Sequence, residues 1–263
     1  MLSTLRAFAT RDLLITRSYR FALLSDLVSA ITGLLLYFFI SRTFEGATPE
    51  SLGGSPSYFA FAAVGAAVTA VIHSALAATA VGIRQEQLTG TLEAITSQPV
   101  SPAGLAIGMT ALPFVTAPLR AGIYLVLADV LLGLDLAGAN LGGALAVLVA
   151  STLALSGLGI ASAAMVIVVK RGDIIAGFAS FAIGLLSGAF FPISVLPNWV
   201  EPFAKALPTR FAFDGLRAAL FGGEWVDDTL ILLAVAAVLL PLSLLAFGAA
   251  LAFAKRAGSI AEY

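Results

Sequence analysis

Six continuous apolar runs dominate this sequence, and they leave lipid as the solvent in which such a chain folds. They cover Phe21 to Ile40, Tyr58 to Ile83, Ala103 to Leu134, Leu141 to Val169, Ile174 to Phe191 and Thr229 to Ala254. A helical membrane span takes about 20 mostly apolar residues, and each run is of that order. The runs are unbroken rather than alternating, which predicts helices and not a barrel. Composition agrees: 60% of the 263 residues are hydrophobic and 11% are charged, against about 25% charged in a soluble domain. The expected fold class is therefore all-α integral membrane, with six transmembrane helices in a single transmembrane domain over residues 1–263.

Several functions are excluded by what the chain lacks. It has no cysteine, so it has no disulfide framework, thiolate metal site or cysteine nucleophile. One histidine, His73, cannot build a multi-histidine metal centre, and no metal site is expected. A net charge of −1 and an isoelectric point near 5.8 argue against nucleic acid as a partner.

Lysine and arginine set the expected orientation. Arg6, Arg11, Arg17 and Arg20 precede the first run, Arg84 follows the second, Lys170 and Arg171 follow the fourth, and Lys255 and Arg256 follow the sixth. With six crossings all of these fall on one side, which predicts both termini in the cytoplasm. The first run is too long and too late for a cleaved signal sequence. Residues 1–20 mix arginines with Leu5, Phe8, Leu13, Leu14 and Ile15, the pattern of an interfacial helix lying on the membrane.

Two segments outside the runs carry most of the functional information. Residues 84–102 read RQEQLTGTLEAITSQPVSP on the cytoplasmic side. Leu88, Leu92 and Ile95 recur at helical spacing and predict one apolar stripe on a short helix, which Pro99 and Pro102 end. Such a helix suits docking in a groove of a cytoplasmic partner. The competing reading is a helix resting on lipid head groups, which calls for a cationic polar face. Here Glu86 and Glu93 oppose a lone Arg84.

Residues 187–223, on the outer side, are too rich in proline to cross in one piece and too apolar for an open loop. Pro192, Pro197, Pro202 and Pro208 divide the segment, and short helices are expected over Val195 to Ala206 and Thr209 to Leu220. Broken backbone at membrane depth must pack on protein or face a water-filled cavity. A re-entrant outer gate and an aromatic interfacial anchor both fit its phenylalanines and Trp199.

The stretch Glu86-Gln87-Leu88-Thr89-Gly90-Thr91-Leu92-Glu93, ending at Pro99, resembles the coupling-helix signature of ABC exporter permeases of the type-2 superfamily. The run Ser187-Gly188-Ala189-Phe190-Phe191-Pro192, then Leu196-Pro197-Asn198-Trp199, Leu207-Pro208 and Asp214-Gly215-Leu216-Arg217, resembles that family's re-entrant segment before its last span. The resemblance implies a plasma (inner) membrane permease, a transport subunit rather than an enzyme, that pairs with a second permease copy. Separate ATP-binding cassette subunits would dock below and hold the ATP and Mg, leaving no cofactor on this chain. It implies ATPase coupling through Glu86, Gly90, Thr91 and Glu93, to which the apolar pattern adds packing by Leu88, Leu92 and Ile95. It also implies an outer gate that includes Phe190, Phe191, Pro192, Pro197 and Trp199. Independently of the resemblance, no G-x-x-x-x-G-K-[ST] run occurs, so an ATP-driven mechanism needs its ATPase on another chain. The cargo expected for an apolar path is hydrophobic or amphiphilic: a drug, a lipid or a lipid-linked glycan.

Polar groups within the runs raise an alternative. Charges at mid-membrane cost about 2.5–3.5 kcal/mol each, so they need a reason. An ion-coupled secondary carrier would use His73, Asp26, Arg120 and Asp129, but it predicts internal symmetry and paired broken spans, and neither is visible in the sequence. His73 reads as an interhelical hydrogen-bonding residue or a proton relay. Arg120 is expected to meet Glu201 or Asp214 or to line a path for an anionic head group, and the favoured reading is a structural ion pair or snorkelling to the outer interface. Asp26 is expected to pair with a nearby arginine. An intramembrane serine hydrolase is disfavoured by the absence of G-x-S-x-G.

Overall fold

The computed structural model describes residues 20–43, 52–169 and 172–257. The interfacial helix expected over residues 1–20, and Lys170 and Arg171, lie outside the described residues. Among the described residues every regular element is helical. The helices are α1 (Arg20–Ser41), α2 (Tyr58–Ile72), α3 (Ala78–Leu88), α4 (Thr91–Thr96), α5 (Pro102–Leu132), α6 (Leu141–Val168), α7 (Gly172–Leu186), α8 (Glu201–Ala206), α9 (Pro208–Phe221) and α10 (Val226–Ala257). A single π turn, His73–Ala77, joins α2 to α3, so the two form one long rod.

Local sequence sets the helix ends. Ser101 caps α5 by accepting from the Gly104 amide at 3.1 Å, with Pro102 in the first turn, where its missing N–H does no harm. Gly133, at φ 71°, ends the same helix in the left-handed conformation. Asn140 caps α6 through the Gly143 amide at 2.8 Å. Asp227 and Asp228 open α10 and Lys255 and Arg256 close it, each sign matched to the helix dipole. Pro113 and Pro118 lie inside α5, and the helix continues through both.

The interior is organised around α6. Gly157 of α6 lies against α10, where a β-carbon would come within 2.9 Å of Leu239 Cβ. Gly159, on the same helix, lies so close to the π turn that a β-carbon would sit 1.9 Å from the Ala75 carbonyl oxygen. Small residues let the backbones touch, which is how helices associate where lipid supplies no hydrophobic drive. Phe61, Phe213, Leu216 and Leu232 are fully buried toward one end of the bundle, and Ile83, Leu92 and Phe247 toward the other. The outward faces are apolar: Val130 is 72% exposed, Phe178 73% and Leu245 72%. On helices this long, such surfaces call for lipid rather than water.

Among the described residues, five helices are long and apolar enough to cross a membrane: Leu24–Ser41, Tyr58–Leu88, Pro102–Leu132, Leu141–Val168 and Val226–Arg256. The fifth run, Ile174 to Phe191, behaves differently from expectation. Its helix α7 has 15 residues and stops at Leu186, short of the expected Phe191, because Gly188 turns the chain at φ 90°. At about 1.5 Å per residue, α7 alone falls short of the roughly 30 Å hydrocarbon thickness. The turn completes the passage: Gly172 packs on Val166 at the end of α6, and Ala189 packs on Gly65 near the start of α2. Helix α7 and the turn together thus reach from the end of α6 to the start of α2.

Candidate functional site

The segment 84–102 does not form the single striped helix expected from its sequence. Helix α3 ends at Leu88, Gly90 takes φ 71°, and α4 restarts at Thr91. This left-handed step turns α4 relative to α3 and separates the three apolar residues. Leu88 is 59% exposed, Leu92 is 1% exposed, and Ile95 is half-buried against the same core as Leu92. Leu92 therefore holds α4 onto the bundle beside Ile83, Leu105 and Phe247, and cannot also pack on a partner. The polar residues close the step. The Thr91 hydroxyl donates to Glu86 Oε2, and the Thr89 hydroxyl donates to the Gln85 carbonyl at 2.8 Å. Gln87, buried, reaches the Val166 carbonyl at 3.4 Å, and Lys255 Nζ reaches the Thr96 carbonyl at 3.0 Å. The element is thus fastened to the ends of α6 and α10. It leaves Leu88, Gly90, Thr91 and Glu93 on its exposed face.

The proline-divided segment is pinned at the opposite end of the bundle. The first expected short helix is reduced to the turn Ile193–Val195 and to α8, because Pro197 interrupts the backbone between them and Pro202 is accommodated only in the first turn of α8. The second is α9, as expected within a residue at each end. At Gly65 the segment and α2 touch backbone to backbone: a β-carbon there would lie 1.8 Å from the Ala189 carbonyl oxygen. Phe190 stacks on Tyr37 at 5.1 Å between ring centroids, and the Tyr58 hydroxyl donates to the Phe190 carbonyl at 3.1 Å. Ser187 and Thr209 share a buried hydroxyl–hydroxyl hydrogen bond. Of the five residues expected at a gate, Phe190 faces the interior, Phe191 and Pro192 are half-buried, and Pro197 and Trp199 are exposed.

Arg217 is the centre of this arrangement. It is 3% exposed, and its Nη2 donates to the Gly188 carbonyl at 2.7 Å and to the Phe61 carbonyl at 3.3 Å. The guanidinium lies 3.6 Å from the centroid of the Phe61 ring, a desolvated cation–π contact. Burial pushes its pKa down to about 9, with Asp214 opposing the shift, so it remains a cation at neutral pH. The sequence analysis quoted Arg217 without giving it a role. The signal was present: Phe213, Leu216 and Leu220 share its helix face, so the cation sits on the buried side of α9.

Between these two ends a cavity of about 610 Å³ opens along α1, α2, α5 and α7. His73, Arg120, Asp26, Tyr37, Thr69 and Phe190 all contribute to its wall. Arg120 Nη2 binds Asp26 Oδ2 at 2.8 Å, so its partner is on α1 and not Glu201 or Asp214 of the outer segment. The correction has a simple reason. Arg120 lies deep within α5, whereas Arg210 takes Asp214 at 3.0 Å and Lys205 takes Glu201 at 2.7 Å, both within their own short helices. His73 begins the π turn and faces the cavity, making no interhelical hydrogen bond among the described residues. Of the residues named for the ion-coupled alternative, His73, Asp26 and Arg120 line this cavity and Asp129 lies outside it.

A family model described as ABC-2 type transporter matches residues 4–221, from the first residues through the end of α9. The chain belongs to the ABC-2 type transporter family. No curated protein matches it. Membership makes the chain the membrane component of an ABC exporter, a transport subunit and not itself catalytic. It also gives the two odd elements a common context, since both the Gly90 step and the Arg217-centred segment fall within the matched residues.

Proposed function

We propose that this chain forms, with a second permease copy, the translocation path of an ATP-driven exporter for a hydrophobic or amphiphilic cargo. Separate ATP-binding cassette subunits power it, binding the ATP and Mg that this chain does not. The observation that carries the reading is the family match together with the absence of a phosphate-binding loop in this sequence. The membrane is the plasma (inner) membrane, the chain crosses it six times, and the α4 end and both termini face the cytoplasm, in keeping with the clustering of lysine and arginine.

In this reading the α3–α4 step is the lever. Leu88, Gly90, Thr91 and Glu93 face the partner, Glu86 braces Thr91, and Leu92 and Ile95 transmit the movement inward. Two substitutions separate these roles. Leu92→Ala removes a fully buried side chain and is expected to cost about 2–5 kcal/mol, read as a lowered thermal midpoint in detergent. Leu88→Asp changes an exposed residue and leaves that midpoint within about 0.5 kcal/mol. It is nonetheless expected to lower co-purification with the ATPase subunit at least tenfold. Loss of binding on Leu92→Ala in a fully folded sample, with Leu88→Asp innocuous, would reverse the assignment.

The translocation path runs between α1, the α2–α3 rod and α7. Phe190 closes it at the outer end on Tyr37, with Phe191 and Pro192 behind it and Pro197 and Trp199 at the lipid interface. The double substitution of Phe190 and Phe191 by alanine is expected to raise passive leak or alter transport in reconstituted vesicles while ATPase binding is kept. ATP-dependent uptake into inverted vesicles that requires both this chain and the ATPase tests the whole reading. Uptake that persists without the ATPase refutes it.

A further inference from the structure

We infer that Asp26 and Arg120 form the head-group subsite of the cavity and select cargo whose polar end carries both a positive and a negative charge. The inference rests on the transport reading above and adds the class of cargo.

A charge pair deep in a membrane helix bundle is ordinarily covered, since each exposed charge at that depth costs about 2.5–3.5 kcal/mol. This pair is not covered. The side chains are 45% and 55% exposed, and both border the cavity. They meet at one atom each, Nη2 and Oδ2. A guanidinium has five N–H donors and a carboxylate two acceptor oxygens, so the pair leaves most of its bonding capacity unused on two side chains that line the cavity. The same cavity is lined by Tyr124, His73 and Thr69, and the buried Thr69 Oγ1 has no hydrogen-bond partner in the described structure. Leu27, Ala66, Ile123 and Phe181 make the rest of that wall apolar. The site is therefore amphiphilic: one polar corner on an apolar cavity of a size suited to a small ligand or part of a lipid.

Charge balance selects among amphiphiles. Asp26 and Arg120 sum to zero. A purely anionic or cationic head group would bind one member and leave the other unpaired in a low-dielectric site, which is strongly unfavourable. A zwitterion gives its anion to the guanidinium, where the fork geometry favours a phosphate or carboxylate, and its ammonium to Asp26. Both protein charges then stay paired and the sum stays zero. An uncharged sugar also preserves the sum but leaves the protein pair without new charge-assisted bonds.

The test uses the full chain in nanodiscs and a photocrosslinking phosphatidylethanolamine analogue. Chain-matched detergents compete: one zwitterionic, one anionic, one cationic and one glucoside. The zwitterion is expected to compete at least tenfold better than the others. Arg120→Gln leaves Asp26 unpaired and is expected to shift preference to the cationic detergent. Asp26→Asn shifts it to the anionic one. These shifts in opposite directions would not follow from a merely structural ion pair. The double variant, neutral throughout, preserves charge balance if a single variant misfolds, and it is expected to bind all four within about threefold of one another. Equal competition by all four detergents in the wild type, or unchanged preference in the variants, overturns the inference. With the ATPase subunit added, ATP-dependent movement of the same analogue marks it as cargo. Selective binding without movement, while another amphiphile is exported, overturns the cargo assignment but leaves the exporter reading standing. Failure of every ATP-dependent uptake refutes the exporter reading itself.

Discussion

Gly65→Ala is expected to prevent the outer segment from seating on the bundle. The added methyl would have to occupy a point 1.8 Å from the Ala189 carbonyl oxygen, about half the separation of atoms in ordinary contact. The obstacle is backbone on both sides, so no rotamer change relieves it. Overpacking typically costs about 1–3 kcal/mol and more where nothing yields, and this site belongs to the upper end. Separation of α2 from the turn would also draw Phe190 away from Tyr37 and lengthen the Tyr58 hydrogen bond. The expected result is a loss of about 3 kcal/mol or more, read as a lowered thermal midpoint and as reduced recovery of monodisperse protein. Gly82→Ala is the control. A β-carbon there meets nothing within 4 Å, and the gain in helix propensity makes it neutral or stabilising by up to about 1 kcal/mol. Equal behaviour of the two variants would show that the α2–turn contact does not matter to stability.

Arg217→Ala is expected to release the same segment from the other side. The guanidinium holds two backbone carbonyls from different parts of the chain, Phe61 in α2 and Gly188 in the turn, and lies on the Phe61 ring. Hydrogen bonds from a charged group contribute about 1.5–3 kcal/mol and a desolvated cation–π contact about 2, and these are not additive. Part of the loss is offset because a buried cation no longer has to be desolvated. The expected net loss is about 2–4 kcal/mol in detergent. Arg217→Lys keeps the charge but lacks the planar fork and is expected to recover less than half of it. Arg217→Met of similar volume separates packing from bonding. If methionine restores full stability and full transport, the arginine serves neither.

The membrane-spanning part of the fold was legible because the bilayer imposes a length and a composition on each crossing. The helices α5 and α6 end within a few residues of their apolar runs, where Ser101, Pro102, Gly133 and Asn140 supply cap chemistry that is local. The segment 84–102 was read less well. Periodicity assigns Leu88, Leu92 and Ile95 to one face only if the helix is continuous, and one glycine at φ 71° breaks that condition. The polar residues within the runs were found but not matched. Arg120 and Asp26 are 94 positions apart, and which carboxylate an arginine meets depends on which helices adjoin. Phe190 was picked out with its neighbours, while Tyr37 and Tyr58, which hold it, carry no mark in the sequence.

The sequence by itself determined that this chain is a helical membrane protein, that 187–223 is broken at its prolines, and that no nucleotide-binding loop is present. Those conclusions depend on composition, spacing and residue type, which act along the chain. The tertiary structure alone decided that Leu92 turns inward while Leu88 turns outward, that Arg217 joins the outer segment to α2, and that an open ion pair borders the cavity. These follow from backbone approach at Gly65 and Gly159 and from the left-handed step at Gly90. Each is a relation between segments, set by which helices can come into contact.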